Sequence, residues 1–274
     1  MKPYNKLNES DFELIINTYF DKDNKDKNFK EMACICGVSE RSFSRVLKEN
    51  NINTRLKNRY IIANEGYFEV IDTSDKAYFL GLLFADGYVG INDEVILSLK
   101  NVDNTKEVMQ TLLDNIGCTN DIKEIIPKTG FETTNTFLKL QFSNTKINND
   151  LRKHGMSEYK SNSRKCIPKD VVDNKLERDF IRGLYDGDGS FFIKNKHMPT
   201  PQLSVIFMSN ESLLLEIKNF IENKLSLNNV KIRKTKSEEV SELRYGGNKQ
   251  CKRISDYLYE NTNLYLSHKK FSPL

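Results

Sequence analysis

A nine-residue pattern that occurs twice places the tightest limit on how this chain can fold. The first copy is FLGLLFADG at residues 79–87, and the second is IRGLYDGDG at residues 181–189. Each copy is a largely apolar run that ends in Asp-Gly, with a glycine five residues before the aspartate and a small residue directly before it. Small residues on a helix face allow two helices to approach closely. We therefore predict two helices that pack together and end side by side.

Such a helix pair would bring two carboxylates, those of Asp86 and Asp188, into one place. Two anions in close contact are unfavourable unless a proton or a cation lies between them. At neutral pH the simplest solution is a divalent metal, and oxygen ligands favour magnesium. A single Asp-Gly pair usually marks only a turn, so the prediction depends on the repetition and on the apolar runs before it.

The same order of predicted elements follows each motif: two strands, a helix, two strands and a closing helix. Asp188 follows Asp86 by 102 residues, which is the offset between equivalent positions of the two units. A twofold repeat of one supersecondary unit is typical of a pseudo-dimer within a single chain. We predict an α+β fold with a first unit at 59–166 and a second unit at 167–274, preceded by a small all-α domain at 1–58.

The predicted N-terminal domain resembles a helix-turn-helix. A first helix is indicated by Ser10 and Glu13, which have the spacing of a capping box. In the following pair of helices, Ala33 would lie where the helices cross, Gly37 would form the turn and Ser39 would cap the second helix. The alternative is a helical hairpin that only packs. The side chains expected to face outward, on a surface suited to a DNA groove, are Arg41, Ser42, Ser44, Arg45 and Lys48.

Positive charge is concentrated in one short stretch of the chain. The formal net charge is only +4, yet residues 41–59 hold six basic residues against one acid. Such a stripe suggests contact with phosphates. It is also compatible with a solvated helix face followed by a charged tether. The basic residues predicted to bind DNA here are Arg41, Arg45, Lys48, Arg55, Lys57 and Arg59.

Cysteine usage and hydropathy exclude several classes of protein. Five cysteines and three histidines are scattered, and Cys34 and Cys36 do not share a face of their predicted helix. We expect reduced cysteines and no zinc site. No apolar stretch approaches the roughly 20 residues of a membrane helix, and the first residues lack the apolar middle of a secretion signal. The expected location is therefore cytoplasmic, as a soluble intracellular protein.

The two motifs resemble those of the LAGLIDADG homing endonucleases. The resemblance extends over about 66–274 and includes Ile167-Pro168 before the second motif helix and the closing stretch at 246–270. It is strongest to the two-motif members found in phages and inteins. It implies tandem αββαββα units whose motif helices form the interface and whose strands form a saddle over DNA. The implied function is site-specific double-strand cleavage with Mg²⁺, for which Mn²⁺ can substitute, by a monomer acting on a long asymmetric site.

The resemblance also implies roles for particular residues. The catalytic acids are the eighth motif residues, Asp86 and Asp188, and the carbonyls of Ala85 and Gly187 join the metal shell. The sixth position differs between the copies, because it is Phe84 in the first and Asp186 in the second. A basic residue is implied near each acid, and Lys100 matches that position in the first unit, where a surface strand-end lysine is the alternative. The second unit has Ser209 where a lysine is expected, which predicts unequal cutting of the two DNA strands.

The second unit offers further cations for DNA contact on its predicted strands. Alternate residues of a strand share one face, so a sheet of this kind can present basic side chains to a major groove. For each such residue a solvated surface role is the alternative. At the level of the whole chain, the alternative is a cleavage-inactive DNA-binding regulator or an intron-splicing maturase on the same fold. The strand residues predicted to bind DNA are Lys194, Lys196, Lys231, Arg233 and Arg244.

Overall fold

The structure is a computed structural model, which describes residues 1–24, 27–50, 52, 61–126, 136–158, 164–236 and 239–271. The chain separates into two units, Met1–Tyr60 and Ile61–Leu274. Three residues predicted to bind DNA, Arg55, Lys57 and Arg59, lie outside the described residues. No helix in the described part of the chain has both the length and the apolar character needed to cross a membrane.

The N-terminal unit consists of three helices around a small apolar core. These are α1 (Glu9–Phe20), α2 (Phe29–Ile35) and α3 (Glu40–Glu49). Gly37, in the connection between α2 and α3, has a φ of 64°, a conformation that glycine adopts without strain. The side chains at the centre of the core are Ile15, Met32, Val38, Phe43, Val46 and Leu47.

One of the two helix caps predicted in this unit is present, and the other is replaced by a neighbouring residue. Ser39 caps α3 as predicted, because its Oγ accepts a hydrogen bond of 3.1 Å from the backbone N–H of Ser42. The capping box predicted at Ser10 is wrong. Asn8 and Asp11 form it instead, each side chain accepting from the other's backbone N–H. Asparagine and serine are both good caps, so the sequence alone does not separate starts that lie two residues apart.

The second unit contains the same succession of elements twice. The first repeat comprises α4 (Ser74–Asp86), β1 (Gly87–Val89), β2 (Glu94–Lys100), α5 (Thr105–Ile116), β3 (Lys123–Ile125), β4 (Phe137–Ser143) and α6 (Thr145–Lys153). A short helix, α7 (Lys169–Asp173), precedes the second repeat. That repeat comprises α8 (Glu177–Asp188), β5 (Ser190–Lys194), β6 (Gln202–Ser209), α9 (Glu211–Leu225), β7 (Ile232–Lys234), β8 (Ser241–Gly246) and α10 (Asn248–Tyr259).

Each repeat forms one antiparallel sheet of four strands with equivalent topology. The strand orders are β1-β2-β4-β3 and β5-β6-β8-β7. Alternate side chains of β2 are buried, as in Leu97 and Leu99, whereas Ser98 and Lys100 point to the opposite, more accessible face. Each sheet thus has one face in the core and one outer face. The predicted α+β fold is confirmed.

The two motif helices, α4 and α8, pack tightly along their length. Every residue from Ala77 to Ala85 is buried. A Cβ added to Gly81 would lie 2.1 Å from the carbonyl oxygen of Phe180, and one added to Gly183 would lie 2.0 Å from that of Tyr78. Only glycine fits at these two crossing points, so the predicted close helix contact is confirmed.

Candidate active site at the ends of the motif helices

The two motif aspartates terminate α4 and α8. The glycine after each of them is extended, with φ values of −84° at Gly87 and −77° at Gly189, and leads the chain directly into the following sheet. A Cβ added to Gly187 would lie 2.2 Å from the Cβ of Ala85 and 3.0 Å from Oδ2 of Asp86. The helix ends therefore touch at the residues before the acids, and both acids leave the interface at the same edge.

A buried arginine closes the end of the first motif helix. Arg164 donates from Nη1 to the carbonyl of Phe84 and from Nη2 to that of Gly87, the latter at 2.7 Å. Burial lowers the pKa of its guanidinium to about 10, and the negative charges of Asp188 and Asp86 oppose that shift. The group is therefore charged at neutral pH beside both acids. Its backbone φ of 62° is uncommon for a residue other than glycine.

A half-buried lysine, Lys269, closes the end of the second motif helix in a similar way. Lys269 donates from Nζ to the carbonyls of Gly187, at 2.9 Å, and Gly189, at 2.7 Å. Burial lowers the pKa of its ammonium group, and the charges of Asp86, Asp186 and Asp188 oppose that shift. A cation at a helix C-terminus is stabilised by the helix dipole.

Sequence reasoning missed both cations. Arg164 comes after α6 and Lys269 after α10, so each follows the last helix of its own repeat. Arg164 lies 78 residues after Asp86, and Lys269 lies 81 residues after Asp188. That similar spacing is the signal that could have found them.

The basic residue predicted near the first acid is Lys100, which ends β2, and its catalytic role stays a prediction. Lys100 is exposed. Burial lowers the pKa of the nearby His268, and the charges of Lys269 and Lys100 add to that shift. In the strand registers, Tyr88 pairs with Ile96 and Ser190 with Ile206. Tyr88 and Ser190 are equivalent, because each follows its motif aspartate by two residues, so their partners Ile96 and Ile206 are equivalent as well. Lys100 lies four residues after Ile96, and its counterpart, four residues after Ile206, is Asn210 and not the predicted Ser209. Asn210 in turn donates from Nδ2 to the carbonyl of Arg164 at 2.6 Å.

A pocket of about 370 Å³ opens beside Asp188. It combines two carboxylates, a guanidinium and small polar side chains with an apolar wall, a mixture suited to a phosphate with its bound cation. The residues that line it are Phe84, Arg164, Asp188, Met208, Ser209, Asn210, Glu239 and Val240.

The sixth motif position has opposite chemistry in the two copies. Phe84 packs edge-on against Phe180, with ring centroids 5.1 Å apart. At the equivalent place in the other half, Asp186 accepts a hydrogen bond of 2.9 Å from the hydroxyl of Tyr78. Burial raises the pKa of the Asp186 carboxyl to about 6, which hydrogen bonds from Tyr259, Leu266 and Tyr78 oppose.

The donor set at the helix ends is made of hard oxygens. In the described residues, no three or more His, Cys, Asp and Glu side chains gather as a metal cluster, and the five cysteines are free. Two carboxylates and adjacent backbone carbonyls match the ligands that Mg²⁺ takes with several waters. The carbonyl of Gly187 also accepts from Lys269. The site thus fits a hydrated magnesium ion.

The residues predicted to bind DNA through the strands lie on or near the second sheet. Arg233 is exposed on β7, and Arg244 on β8 is held by Glu242 at 2.9 Å and lies 5.3 Å from the ring of Phe192. Lys194 ends β5 with its Nζ 5.7 Å from the same ring. Lys196 does not share a strand face with Lys194, because β5 ends before it, and Lys231 precedes β7.

On α3, three of the predicted basic residues are exposed. These are Arg41, Arg45 and Lys48. Arg45 forms an ion pair of 2.8 Å with Glu49 and lies 3.9 Å from the ring of Tyr4. The prediction that Ser42 faces outward is wrong. It is buried, since its hydroxyl hydrogen-bonds that of the capping Ser39.

Comparison with known families assigns the second repeat. Residues 175–258 match the family described as LAGLIDADG-like domain. The match spans α8, the second sheet and most of α10. This part of the chain is therefore a LAGLIDADG-like domain, and the predicted resemblance is confirmed. The first repeat has the same order of helices and strands.

No curated protein matches the chain. Similar solved structures include the homing endonuclease I-WcaI bound to its DNA recognition sequence, at 15% identity over 77% of this chain and 91% of that one, with a TM-score of 0.49. The I-LtrWI LAGLIDADG homing endonuclease bound to target DNA shares 14% identity over 75% of this chain and 87% of that one, with a TM-score of 0.44. The N-terminal LAGLIDADG domain of DUF199/WhiA shares 15% identity over 73% of this chain and 89% of that one, also with a TM-score of 0.44. These likenesses are distant, so the assignment depends on the family match and the strand topology.

Proposed function

We propose that this protein is a site-specific DNA endonuclease that hydrolyses one phosphodiester bond in each strand of a duplex. The observation that carries the proposal is the pairing of Asp86 with Asp188 at the touching ends of α4 and α8, each end closed by a cation, Arg164 or Lys269. Carboxylates beside guanidinium and ammonium groups suit the binding of a phosphate together with a divalent metal.

Asp86 and Asp188 would hold Mg²⁺, with Mn²⁺ as a substitute, together with the carbonyls of Ala85 and Gly187. When bound there, the metal would supply a water nucleophile of lowered pKa and charge stabilisation for the leaving oxygen. The positive charges of Arg164 and Lys269 would stabilise negative charge that develops on the phosphate.

The outer faces of the two sheets would bind the duplex on either side of the cleavage site. Each sheet extends from the end of a motif helix, so a duplex lying across both would pass the acids. On the second sheet, Lys194, Arg233 and Arg244 would contact phosphates or guanine edges, and Lys196 and Lys231 would contact phosphates beside it. Lys100 would add a contact from the first sheet, since it ends β2 on the outer face.

We propose three functional regions for the chain. Residues 1–58 would be a helix-turn-helix and linker that lengthens the DNA contact, with Arg41 and Lys48 on α3 facing the groove. Residues 59–166 and 167–274 would each be one LAGLIDADG unit. A chain with both units acts as its own dimer, which suits an asymmetric target and a monomeric enzyme.

The test begins with finding the target site. Incubation with a host-genome or randomised DNA library in Mg²⁺, followed by capture of cleaved ends, would identify it. Asp86→Asn and Asp188→Asn are then expected to abolish double-strand cleavage while the affinity for uncleaved target stays within a few-fold. The exposed Asp173→Asn, on α7 at the other end of α8, is the matched control and should cleave normally. Cleavage at the original rate by either motif variant would refute the proposal, and DNA binding without cleavage by the unaltered protein would favour a regulator or maturase.

A further inference from the structure

We infer that Asp186 is a positioning residue for Lys269, and that it serves one of the two active sites only. The inference rests on the proposed nuclease function and identifies a residue that acts through another. Its basis is a buried polar network between α8 and the segment that closes the second repeat, residues 260–271, which we call the closing segment.

Asp186 is fully buried and accepts three hydrogen bonds. Its Oδ1 accepts from the hydroxyl of Tyr259 at 2.6 Å, and its Oδ2 accepts from the backbone N–H of Leu266 at 2.8 Å. The third donor is Tyr78 on the other motif helix. Three donors around one carboxylate make a strong, directional anchor in a region of low dielectric.

A second side chain of α8, that of Arg182, also holds the closing segment in place. Arg182 is almost completely buried and donates from Nε to the carbonyl of Leu264 at 3.0 Å and from Nη1 to that of Leu258 at 3.2 Å. From the first repeat, Asn104 bonds the carbonyl of Tyr265 and the N–H of Ser267, both at 2.8 Å. The chain is thus fixed up to the residues immediately before Lys269.

Lys269 lies only three residues beyond Leu266, in a single turn of 3₁₀ helix. A long ammonium side chain keeps a single position only when its backbone is fixed, because ordering it costs conformational entropy. The anchors at Leu264 and Leu266 supply that fixation, and Nζ then reaches the carbonyls of Gly187 and Gly189. Asp186 therefore acts on the site through the backbone that carries Lys269.

The first motif has no carboxylate at the position equivalent to Asp186. At the positions equivalent to Tyr78 and Asp186, offset by 102 residues, Phe180 packs against Phe84. Arg164 is held instead by Asn210 at its own carbonyl. Loss of the Asp186 carboxylate should therefore affect one site, and hence one DNA strand, more than the other.

The experiment compares strand-specific rates in single-turnover cleavage of the selected target. Lys269→Met identifies the strand that depends on Lys269. We expect Asp186→Asn to slow the same strand by roughly 10²-fold, as displacement of a catalytic group by about 1 Å can do, with the affinity for DNA unchanged. Asp186→Asn should add little when combined with Lys269→Met, since residues that act through one another are not additive. Asn104→Ala loosens the same segment from the other side and should slow the same strand.

The matched control is Phe180→Leu, which damages the helix interface at the equivalent place in the other half. It should lower stability without slowing the Lys269-dependent strand selectively. Equal slowing of both strands by Asp186→Asn, or full additivity with Lys269→Met, would overturn the inference.

Amide hydrogen exchange gives a readout that does not depend on cleavage. Exchange over residues 264–270 should be faster in Asp186→Asn than in the unaltered protein, and unchanged in Phe180→Leu. Unchanged exchange in Asp186→Asn would overturn the inference even in a protein that cuts no DNA. Faster exchange together with an inactive unaltered protein would refute the nuclease proposal and leave the positioning of the closing segment standing.

Discussion

At the scale of single residues, two glycines determine whether the site can exist. Gly81→Ala or Gly183→Ala would place a methyl group about 2 Å from a backbone carbonyl of the facing helix. A backbone cannot yield as a side chain does, so the helices must separate. We expect each variant to lower the free energy of unfolding by at least about 1–3 kcal/mol, the usual cost of overpacking, as measured by urea denaturation.

Gly66→Ala is the control for this pair. Its new Cβ would meet nothing closer than a carboxylate oxygen of Glu69, at 3.4 Å, which is the end of a flexible side chain. Its effect should stay within about 0.5 kcal/mol, as for most surface substitutions. Losses that small in Gly81→Ala and Gly183→Ala would show that the helix contact tolerates a methyl group.

The sequence predicted some site residues and could not predict others. Asp86 and Asp188 stand out because the pattern around them is local: an apolar run, a glycine and a small residue. Arg164 and Lys269 reach the same helix ends from the segments after α6 and α10, and no local pattern indicates where such a segment will cross the core. Asp186 was visible as a departure from the first motif, but its partners Tyr259 and Leu266 were not.

At the scale of elements, strand alternation decides which cations can face DNA. Arg233 and Arg244 lie on the outer face of the second sheet, whereas Lys252 is exposed on α10, which packs on the inner face of that sheet. Arg233→Gln should weaken binding to all sequences and reduce the slope of log K against log salt by about 0.9, the value for one lost phosphate contact. Lys252→Gln should change neither quantity. A titration of fluorescent DNA at several salt concentrations measures both.

Arg244 is expected to behave differently from Arg233. Its guanidinium is fixed by Glu242 and by the ring of Phe192, so it presents its free edge in one direction. Fixed arginines of this kind suit guanine, for which a bidentate contact discriminates by about 1–3 kcal/mol. Arg244→Gln should therefore relax the preference at one base pair of the selected site. A selection that returns the same preference at every position would make Arg244 a phosphate contact.

Most elements could be predicted from periodicity, and the deviations have physical causes. The strand β6 is a mostly apolar run with five consecutive buried residues, and the helix α9 begins directly after the capping side chain of Asn210. Lys196 was expected on the strand of Lys194, but Asn195 adopts a φ of 52° and ends it. Asparagine tolerates that conformation better than most residues, but a single asparagine is only a weak signal for a turn.

At the scale of the whole molecule, the repeat gives the fold its symmetry and the departures from symmetry concern the site. Both halves have the same strand order, the same helix crossing and a cation on the motif helix end. The sixth motif residue is Phe84 in the first half and Asp186 in the second. The cation at the helix end is Arg164 in the first half and Lys269 in the second. Equivalent backbones with different side chains would suit the asymmetric DNA target proposed above, because each half would meet a different sequence.

The two units make a prediction about truncation. Residues 61–274 contain both repeats, and their first residues are fastened to them, since the N–H of Ile61 donates to the hydroxyl of Thr119 at 2.9 Å and Ile62 forms a β-bridge with Cys118. The N-terminal unit has its own core around Phe43. A chain truncated before Ile61 should therefore remain folded, with an unchanged urea midpoint for the larger unit.

The truncated chain should bind its target more weakly and with a smaller salt slope, because the exposed cations of α3 are lost with the first unit. Each phosphate contact removed should lower the slope by about 0.9. The full-length double variant Arg41→Gln/Lys48→Gln is the matched control: it removes two exposed charges, leaves Arg45 in its contacts with Glu49 and Tyr4, and should reproduce part of the loss. Equal affinity and equal slope for the full-length and truncated chains would mean that the N-terminal unit does not contact DNA, and the helix-turn-helix would then be a helical hairpin that only packs.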